Sequence, residues 1–181
     1  MMTPEIPNQE QSKKGHFPRW VIPIILTAAF MLFHVIAPWG LSLLAIRYGW
    51  TDGRPGIWNL LGLILVVPGI AATIWMITLH FRASPDTFLE FQQSRKLITP
   101  GPYAFSRNPM YVVELVFWFG WSVFYGSIPV FIGCLLWFAL FNFILVPREE
   151  QDLEKRFGEA YCQYKQMVPR WLGKIRSPLD G

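Results

Sequence analysis

Tyr103, Arg107, Asn108, Pro109 and Tyr111 crowd into one segment, Leu97 to Tyr111, and Arg148-Glu149-Glu150 follows at the far end of the next apolar hairpin. These residue types bind and orient a charged small molecule. Arginine beside a helix N-terminus attracts an anion such as a carboxylate, because free backbone N–H groups and the positive end of the helix dipole point the same way. Tyrosine faces and paired carboxylates suit the opposite charge, or hydroxyls that need an acceptor. No Gly-rich phosphate loop with Lys, no metal-ligand spacing and no nucleophile-base pair accompanies them.

Each piece also has a purely structural explanation. Asn is a preferred N-cap and Pro is favoured at the first helical position, so Asn108-Pro109 equally suits the start of a helix. Thr99-Pro100-Gly101-Pro102 is turn chemistry. Glu149-Glu150 equally suits a solvated helix surface. Glu114 falls one turn inside an apolar segment, where an ionised acid facing lipid would cost on the order of 3 kcal/mol, so it must face other helices; His80 and Arg82 are candidate partners. His34 suits a helix–helix hydrogen bond better than a proton relay, and His80 suits a helix end at the interface.

The elements that position these residues follow from composition. Of 181 residues, 52% are hydrophobic and 15% charged, which is too apolar for a soluble domain of this length. The expected fold is an all-α integral membrane protein. Apolar runs at Trp20 to Ile46, Ile57 to Phe81, Met110 to Tyr125 and Ile128 to Val146 predict four transmembrane helices, or five if the first breaks at Pro38. Only Gly126 and Ser127 part the last two, so they form a tight antiparallel hairpin.

Residues 1–19 read as a polar N-terminus without a cleaved signal peptide, and 20–181 as one membrane domain whose motifs concentrate in 97–171. Under this reading fourteen of the sixteen lysines and arginines share a face with both termini, and the positive-inside rule makes that face cytoplasmic. Both polar clusters then meet the cytosol. The net charge of +4 is matched by anionic lipid headgroups and needs no nucleic acid. Two cysteines, Cys134 and Cys162, supply neither a disulfide framework nor a metal site.

After Pro147, Leu153, Phe157, Tyr161, Tyr164 and Val168 recur at helical spacing, which predicts an amphipathic cytoplasmic helix lying on the membrane or on the hairpin. Gly158 marks either a weak point or a break in it. Val168-Pro169-Arg170-Trp171 ends it, with Trp171 placed as an interfacial anchor.

The joint pattern Leu97-x-Thr99-x-Gly101-x-Tyr103-x-x-x-Arg107-Asn108-Pro109-x-Tyr111, an apolar hairpin, then Glu149-Glu150-x-x-Leu153-x-x-x-Phe157-Gly158-x-x-Tyr161-x-x-Tyr164-x-x-x-Val168-Pro169 resembles the isoprenylcysteine carboxyl methyltransferase and phospholipid methyltransferase superfamily. The resemblance covers roughly the C-terminal half. It implies a multi-span helical enzyme that uses S-adenosylmethionine near the cytoplasmic ends of its last spans. Tyr103, Arg107, Asn108, Pro109 and Tyr111 would line one side of the cofactor, and Glu149 and Glu150 the other. Arg148 and Glu150 are the candidate catalytic residues, Arg148 holding an acceptor carboxylate or pairing with a neighbouring Glu. Asn108 stands where many members carry His; it keeps a donor and an acceptor but does not titrate.

The resemblance implies methyl transfer to a lipophilic acceptor, foremost a carboxylate of the isoprenylcysteine type, with a phospholipid amine or a small thiol as alternatives. It also implies a multi-pass protein of the bacterial inner membrane. Two readings compete: a membrane reductase using a nicotinamide cofactor, and a non-enzymatic membrane subunit of the same fold.

Overall fold

The computed structural model describes residues 25, 28–83 and 97–173. The first apolar run therefore lies partly outside the described residues, as does the proposed cytoplasmic N-terminus. Five helices, one short hairpin and a single 3-10 turn account for the described chain.

Helix α1 runs from Ala28 to Ser42. It does not break at Pro38. A π-helical stretch, Leu32–Ile36, precedes the proline, and the Ala37 N–H reaches back to the Leu32 carbonyl. The wider turn loosens the helix just where Pro38 supplies no donor and its ring would crowd the preceding turn. The same device recurs in α4, Ile128–Phe157, where the π stretch Phe141–Leu145 precedes Pro147 and the Val146 N–H bonds the Phe141 carbonyl. The helix that would otherwise stop at the end of the apolar run thereby carries Glu149 and Glu150 onward as one rigid rod.

Beyond α1 the chain leaves helix earlier than its apolar pattern predicts. Ser42 closes α1 by donating from Oγ to the Trp39 carbonyl at 2.6 Å, and residues 43–60 form an ordered cap. Within it β1 (Trp50–Thr51) pairs antiparallel with β2 (Arg54–Pro55), across a turn in which Asp52 and Gly53 have φ of 50° and 74°. Both central residues in the left-handed region make this the turn that matches strand twist. Helix α2, Leu61–Ala83, starts after that cap rather than at Ile57.

Helix α3, Pro109–Tyr125, packs along α2 with almost no space between the backbones. A Cβ at Gly62 would lie 2.3 Å from the Gly120 carbonyl oxygen, so only glycine permits this approach. Gly126, left-handed at φ 54° and ψ 40°, turns the chain into α4. Trp118, Tyr125, Val130 and Cys134 form the buried core between α3 and α4. Helices α2 and α4 are long and apolar enough to cross a membrane; α1 and α3 are apolar and shorter.

Glu114 does face other helices, but its partner is His34 rather than His80 or Arg82. His34 Nε2 lies 2.5 Å from Glu114 Oε2, while the Trp118 indole N–H donates to Oε1 at 3.1 Å. His34 Nδ1 lies 3.0 Å from the Phe30 carbonyl, which only accepts, so Nδ1 carries a proton. The pair ties α1 to α3.

The tail after Pro147 is two helices rather than one. Gly158, at φ 53° and ψ −127°, separates α4 from α5, Glu159–Met167. The apolar stripe is real, but it packs against the polar loop: Tyr161, Tyr164 and Val168 are buried, with the partly buried Leu97, Leu153 and Phe157 against them, and the Tyr164 hydroxyl bonds the Tyr103 carbonyl. Trp171 is likewise tied to the protein, its indole N–H donating to Asn142 Oδ1 at 3.1 Å and its ring packing on Phe138.

Candidate active site

Three separate pieces of chain meet where α3 begins. The 3-10 turn Gly101–Ala104 brings Tyr103 toward α4 and delivers the chain to Ser106, Arg107 and Asn108. Pro109 then opens α3 with φ already set for helix. The second piece is the end of α4 with Glu149 and Glu150, and the third is the strand-like exit from α5, Val168 to Arg170.

Backbone and side-chain bonds stitch the first piece to the third. The Arg107 N–H donates to the Pro169 carbonyl at 2.9 Å. The Arg170 carbonyl accepts from Asn108 Nδ2 at 3.1 Å and from Ser106 Oγ at 3.3 Å. Ser106 Oγ in turn accepts from the Asn108 N–H at 3.0 Å. Asn108 occupies the N-cap position but makes no side-chain cap bond. Its amide is spent on the tail, and the expectation of a simple helix cap is corrected accordingly. Tyr164, from α5, completes the stitching with a 2.7 Å bond from its hydroxyl to the Tyr103 carbonyl.

Glu150 sits at the centre with only 4% of its surface exposed. Its carboxylate takes the Arg170 guanidinium in bidentate fashion, Nε to Oε1 at 3.2 Å and Nη2 to Oε2 at 2.7 Å. Arg107 Nη1 lies 3.1 Å from Oε1, an ion-pair distance without hydrogen-bond alignment. Two cations around one buried anion leave a net positive charge. Both Glu150 oxygens are engaged inside the protein, so the carboxylate organises the site rather than presenting a free face to a ligand.

Arg107 is the group with capacity to spare. Its side chain is 9% exposed, it meets the Tyr161 hydroxyl, and its Nε and Nη1 have no hydrogen-bond partner among the described residues. Buried guanidinium N–H groups without acceptors cost free energy comparable to lost hydrogen bonds. An incoming carboxylate would supply the missing acceptors.

Glu149, one residue away and exposed, accepts from the Tyr111 hydroxyl at 2.6 Å, and the Tyr111 ring packs on Phe141 at 4.6 Å between centroids. Glu149 and Tyr111 thus form a second, negatively charged lobe beside the positive one. Burial, followed by the charge of Glu149, pushes the Tyr103 phenol well above its ordinary range, so Tyr103 is a neutral donor and a ring face. Burial does the same for Tyr164 and Tyr161. The bond to Glu150 raises the Arg170 guanidinium further, holding it charged.

The structure therefore brings together Tyr103, Arg107, Asn108, Pro109, Tyr111, Glu149 and Glu150 from sequence positions far apart. Arg148 does not join them: it is exposed and pairs with no acid among the described residues. Arg170 is the functional residue that the sequence reading passed over, together with Ser106 and Tyr164. Its signal was the Val168-Pro169-Arg170 exit from the amphipathic tail, which reads as a helix end until the tail is folded back. Among the described residues no group of His, Cys, Asp or Glu could hold a metal ion.

Comparison with known proteins bears on the chain as a whole. The phospholipid methyltransferase family profile matches residues 57–160, which is more than half of the chain. A methanethiol S-methyltransferase of Crocosphaera subtropica is 26% identical over 148 residues, 71% of this chain and 55% of that protein. A protein-S-isoprenylcysteine O-methyltransferase of Xenopus laevis is 30% identical over 125 residues, 65% of this chain and 41% of that protein. An uncharacterized protein of Haemophilus influenzae is 35% identical over 63 residues, its whole length. The chain thus spans about half the length of the two named methyltransferases it matches. No solved structure matches it.

Proposed function

The chain belongs to the phospholipid methyltransferase family, and from that premise we propose that it is an integral membrane methyltransferase using S-adenosylmethionine. The observation that carries the reading is the Arg107 side chain, 9% exposed, two of whose nitrogens lack a hydrogen-bond partner among the described residues, in a net-positive Arg107–Glu150–Arg170 cluster. These donors fit the cofactor's carboxylate.

When bound, S-adenosylmethionine supplies an electrophilic methyl group on a sulfonium centre. Arg107 holds the carboxylate end, and Glu150 positions Arg107 and Arg170. Glu149 and the ring faces of Tyr103 and Tyr111 balance the cationic end. Asn108 and Pro109 hold the loop in register by their bond to the tail and their place at the head of α3. Fixing the donor this way aligns it for in-line displacement, the main service a protein can give such a reaction. Glu150 is therefore a positioning residue, and the catalytic role first assigned to it passes to that function.

The acceptor we propose is lipophilic, foremost a carboxylate of the isoprenylcysteine type that would become a methyl ester. The similarity to a protein-S-isoprenylcysteine O-methyltransferase supports that choice. An ionised carboxylate needs no base to become a nucleophile, in keeping with a site whose buried acid is already paired. Arg148, exposed and outside the cluster, would be the cation that meets that carboxylate. Four spans, cytoplasmic termini and a bacterial inner membrane location complete the proposal, supported by the apolar helices α2 and α4 and by the basic bias of one face.

The test is incubation of the purified protein and a native lipid extract with methyl-labelled S-adenosylmethionine, followed by product identification. Label released by mild alkali marks a methyl ester and is the expected result. Label in an N-methylated headgroup or a thioether would replace the acceptor while keeping the enzyme. No transfer together with saturable binding of a reduced nicotinamide would overturn the reading in favour of a reductase.

A further inference from the structure

The other end of α3 carries a second concentration of unpartnered polar atoms, about 25 Å from the Glu150 cluster at 1.5 Å per helical residue. Among the described residues, five buried side-chain nitrogen or oxygen atoms lack a hydrogen-bond partner. Two belong to Arg107, and the other three are Arg47 Nη2, Trp121 Nε1 and Ser127 Oγ. All three can donate.

Two of them, Trp121 and Arg47, meet one aromatic residue, Tyr125, and the third lies two positions beyond it in the chain. Trp121 stacks on Tyr125 at 5.4 Å, and the Arg47 guanidinium stands 5.4 Å over the Tyr125 ring and 4.9 Å over Trp50. Ser127, 3% exposed, follows two residues later in the turn. No carboxylate pairs with Arg47 among the described residues, and the only acid in the cap at 43–60 is Asp52, exposed at the hairpin tip.

Several carbonyl oxygens at this end already accept other donors. Trp50 Nε1 donates to the Phe124 carbonyl at 2.9 Å, Asn59 Nδ2 to Val123 and Tyr48 at 3.1 and 3.0 Å, and Tyr48 N–H to Gly126 at 2.9 Å. Arg47 itself finds one long bond, 3.4 Å to the Ser42 carbonyl. Arg47, Trp121 and Ser127 thus keep donors without an acceptor among the described residues. An oxyanion brings acceptors only, and a cation held over two rings supplies its charge partner.

We propose that Arg47, Trp121 and Ser127 form a binding site for a phosphodiester headgroup of a membrane lipid, at the end of the protein opposite the proposed methyl-transfer site. The choice of a lipid phosphate rests on the reading of the chain as membrane-spanning, which places this end at a headgroup layer. The chemistry alone would also admit free phosphate.

Native mass spectrometry of the full chain in detergent, titrated with dioleoyl phosphatidylglycerol, tests it. Wild type is expected to retain a first lipid adduct that dioleoylglycerol, lacking the phosphate, does not form. Trp121→Phe keeps the ring and removes one N–H, and Arg47→Gln removes the charge; each is expected to weaken that adduct about tenfold, the worth of one charge-assisted hydrogen bond. Displacement by millimolar inorganic phosphate would assign the site to the oxyanion alone, and resistance to it to the intact lipid. Equal first-adduct affinity in wild type and Trp121→Phe, a variant that leaves the stack in place, overturns the proposal whether or not Arg47→Gln folds. S-adenosylmethionine affinity in the same variants is expected to be unchanged, so failure here and failure of the methyltransferase reading give different results.

Discussion

The two ends of α3 handle buried polar groups in opposite ways. At its start, charge is met with charge: Glu150 lies between Arg107 and Arg170, and three stretches of chain converge on it. At its finish one cation, Arg47, is met with two aromatic faces and the Ser42 carbonyl, with no acid pairing with it among the described residues. A buried carboxylate between two guanidinium groups makes rigid geometry, because loss of any member strands another charge. A cation over rings tolerates change and leaves part of its hydrogen-bonding capacity unfilled. The first arrangement suits a site that must orient a ligand, and the second one that holds a headgroup in place.

The sharpest way to break this contrast is to remove the central anion. Glu150→Gln strands the Arg107 guanidinium, 9% exposed, while Arg170 at 37% can turn to water, and should cost about 3 kcal/mol of stability, the lower end of the range for stranding a buried charge. Glu149→Gln, at an exposed position, should change stability by no more than about 0.5 kcal/mol. Both are expected to weaken S-adenosylmethionine binding, Glu150→Gln through Arg107 and Glu149→Gln by losing charge at the sulfonium end. Denaturant unfolding and calorimetric titration in the same detergent check the pair. Equal stability in the two variants would make Glu150 an ordinary surface acid.

A smaller effect separates helix capping from stitching. Asn108→Ser retains a good N-cap residue, but its side chain is too short to reach the Arg170 carbonyl. If Asn108 served as a cap, this variant would be neutral. Because the amide donates to the tail instead, the expected loss is about 1 kcal/mol, with Asn108→Asp losing more by setting an acceptor against an acceptor. Thermal unfolding distinguishes the outcomes, and full stability in Asn108→Ser would restore the capping role.

The limits of what the sequence shows are visible in these same residues. Tyr103 to Tyr111 and Glu149-Glu150 announce themselves because polar clusters flanking apolar runs need a reason. Arg170 does not, since its significance arises only when Gly158 bends the tail and lays Val168 to Arg170 along the loop. Periodicity showed which faces of the tail are apolar but not what they cover, and the loop proved to be the partner. Likewise His34 and Glu114 each read as a buried polar residue in need of a partner, and nothing local tells that they find one another across 80 positions. The π stretches before Pro38 and Pro147 are backbone answers to proline, and side-chain patterns carry no trace of them.

The smallest effect concerns Tyr164, whose hydroxyl bonds the Tyr103 carbonyl and so holds the loop to α5. Tyr164→Phe should cost about 1 kcal/mol near neutral pH, the net worth of one neutral hydrogen bond. Its behaviour in alkali is more telling. Burial raises the Tyr164 phenol above the ordinary value of 10.0, so the folded protein holds this proton after the unfolded chain has released it. The stability that this neutral phenol contributes is fully present below pH 10, and is lost as pH rises from 10 toward the folded value. Tyr103 and Tyr161 are shifted the same way, so the wild type should lose stability steeply above pH 10. Tyr164→Phe removes one titrating group from that set. Its stability curve should start lower and fall less steeply, converging on wild type as pH rises, by about 1.4 kcal/mol per pH unit at most for a single proton. Unfolding curves recorded between pH 8 and 11 read the difference directly. Parallel curves, offset by a constant amount, would show that Tyr164 titrates alike in the folded and unfolded chain, and that the stitching at this end of α3 is open to water.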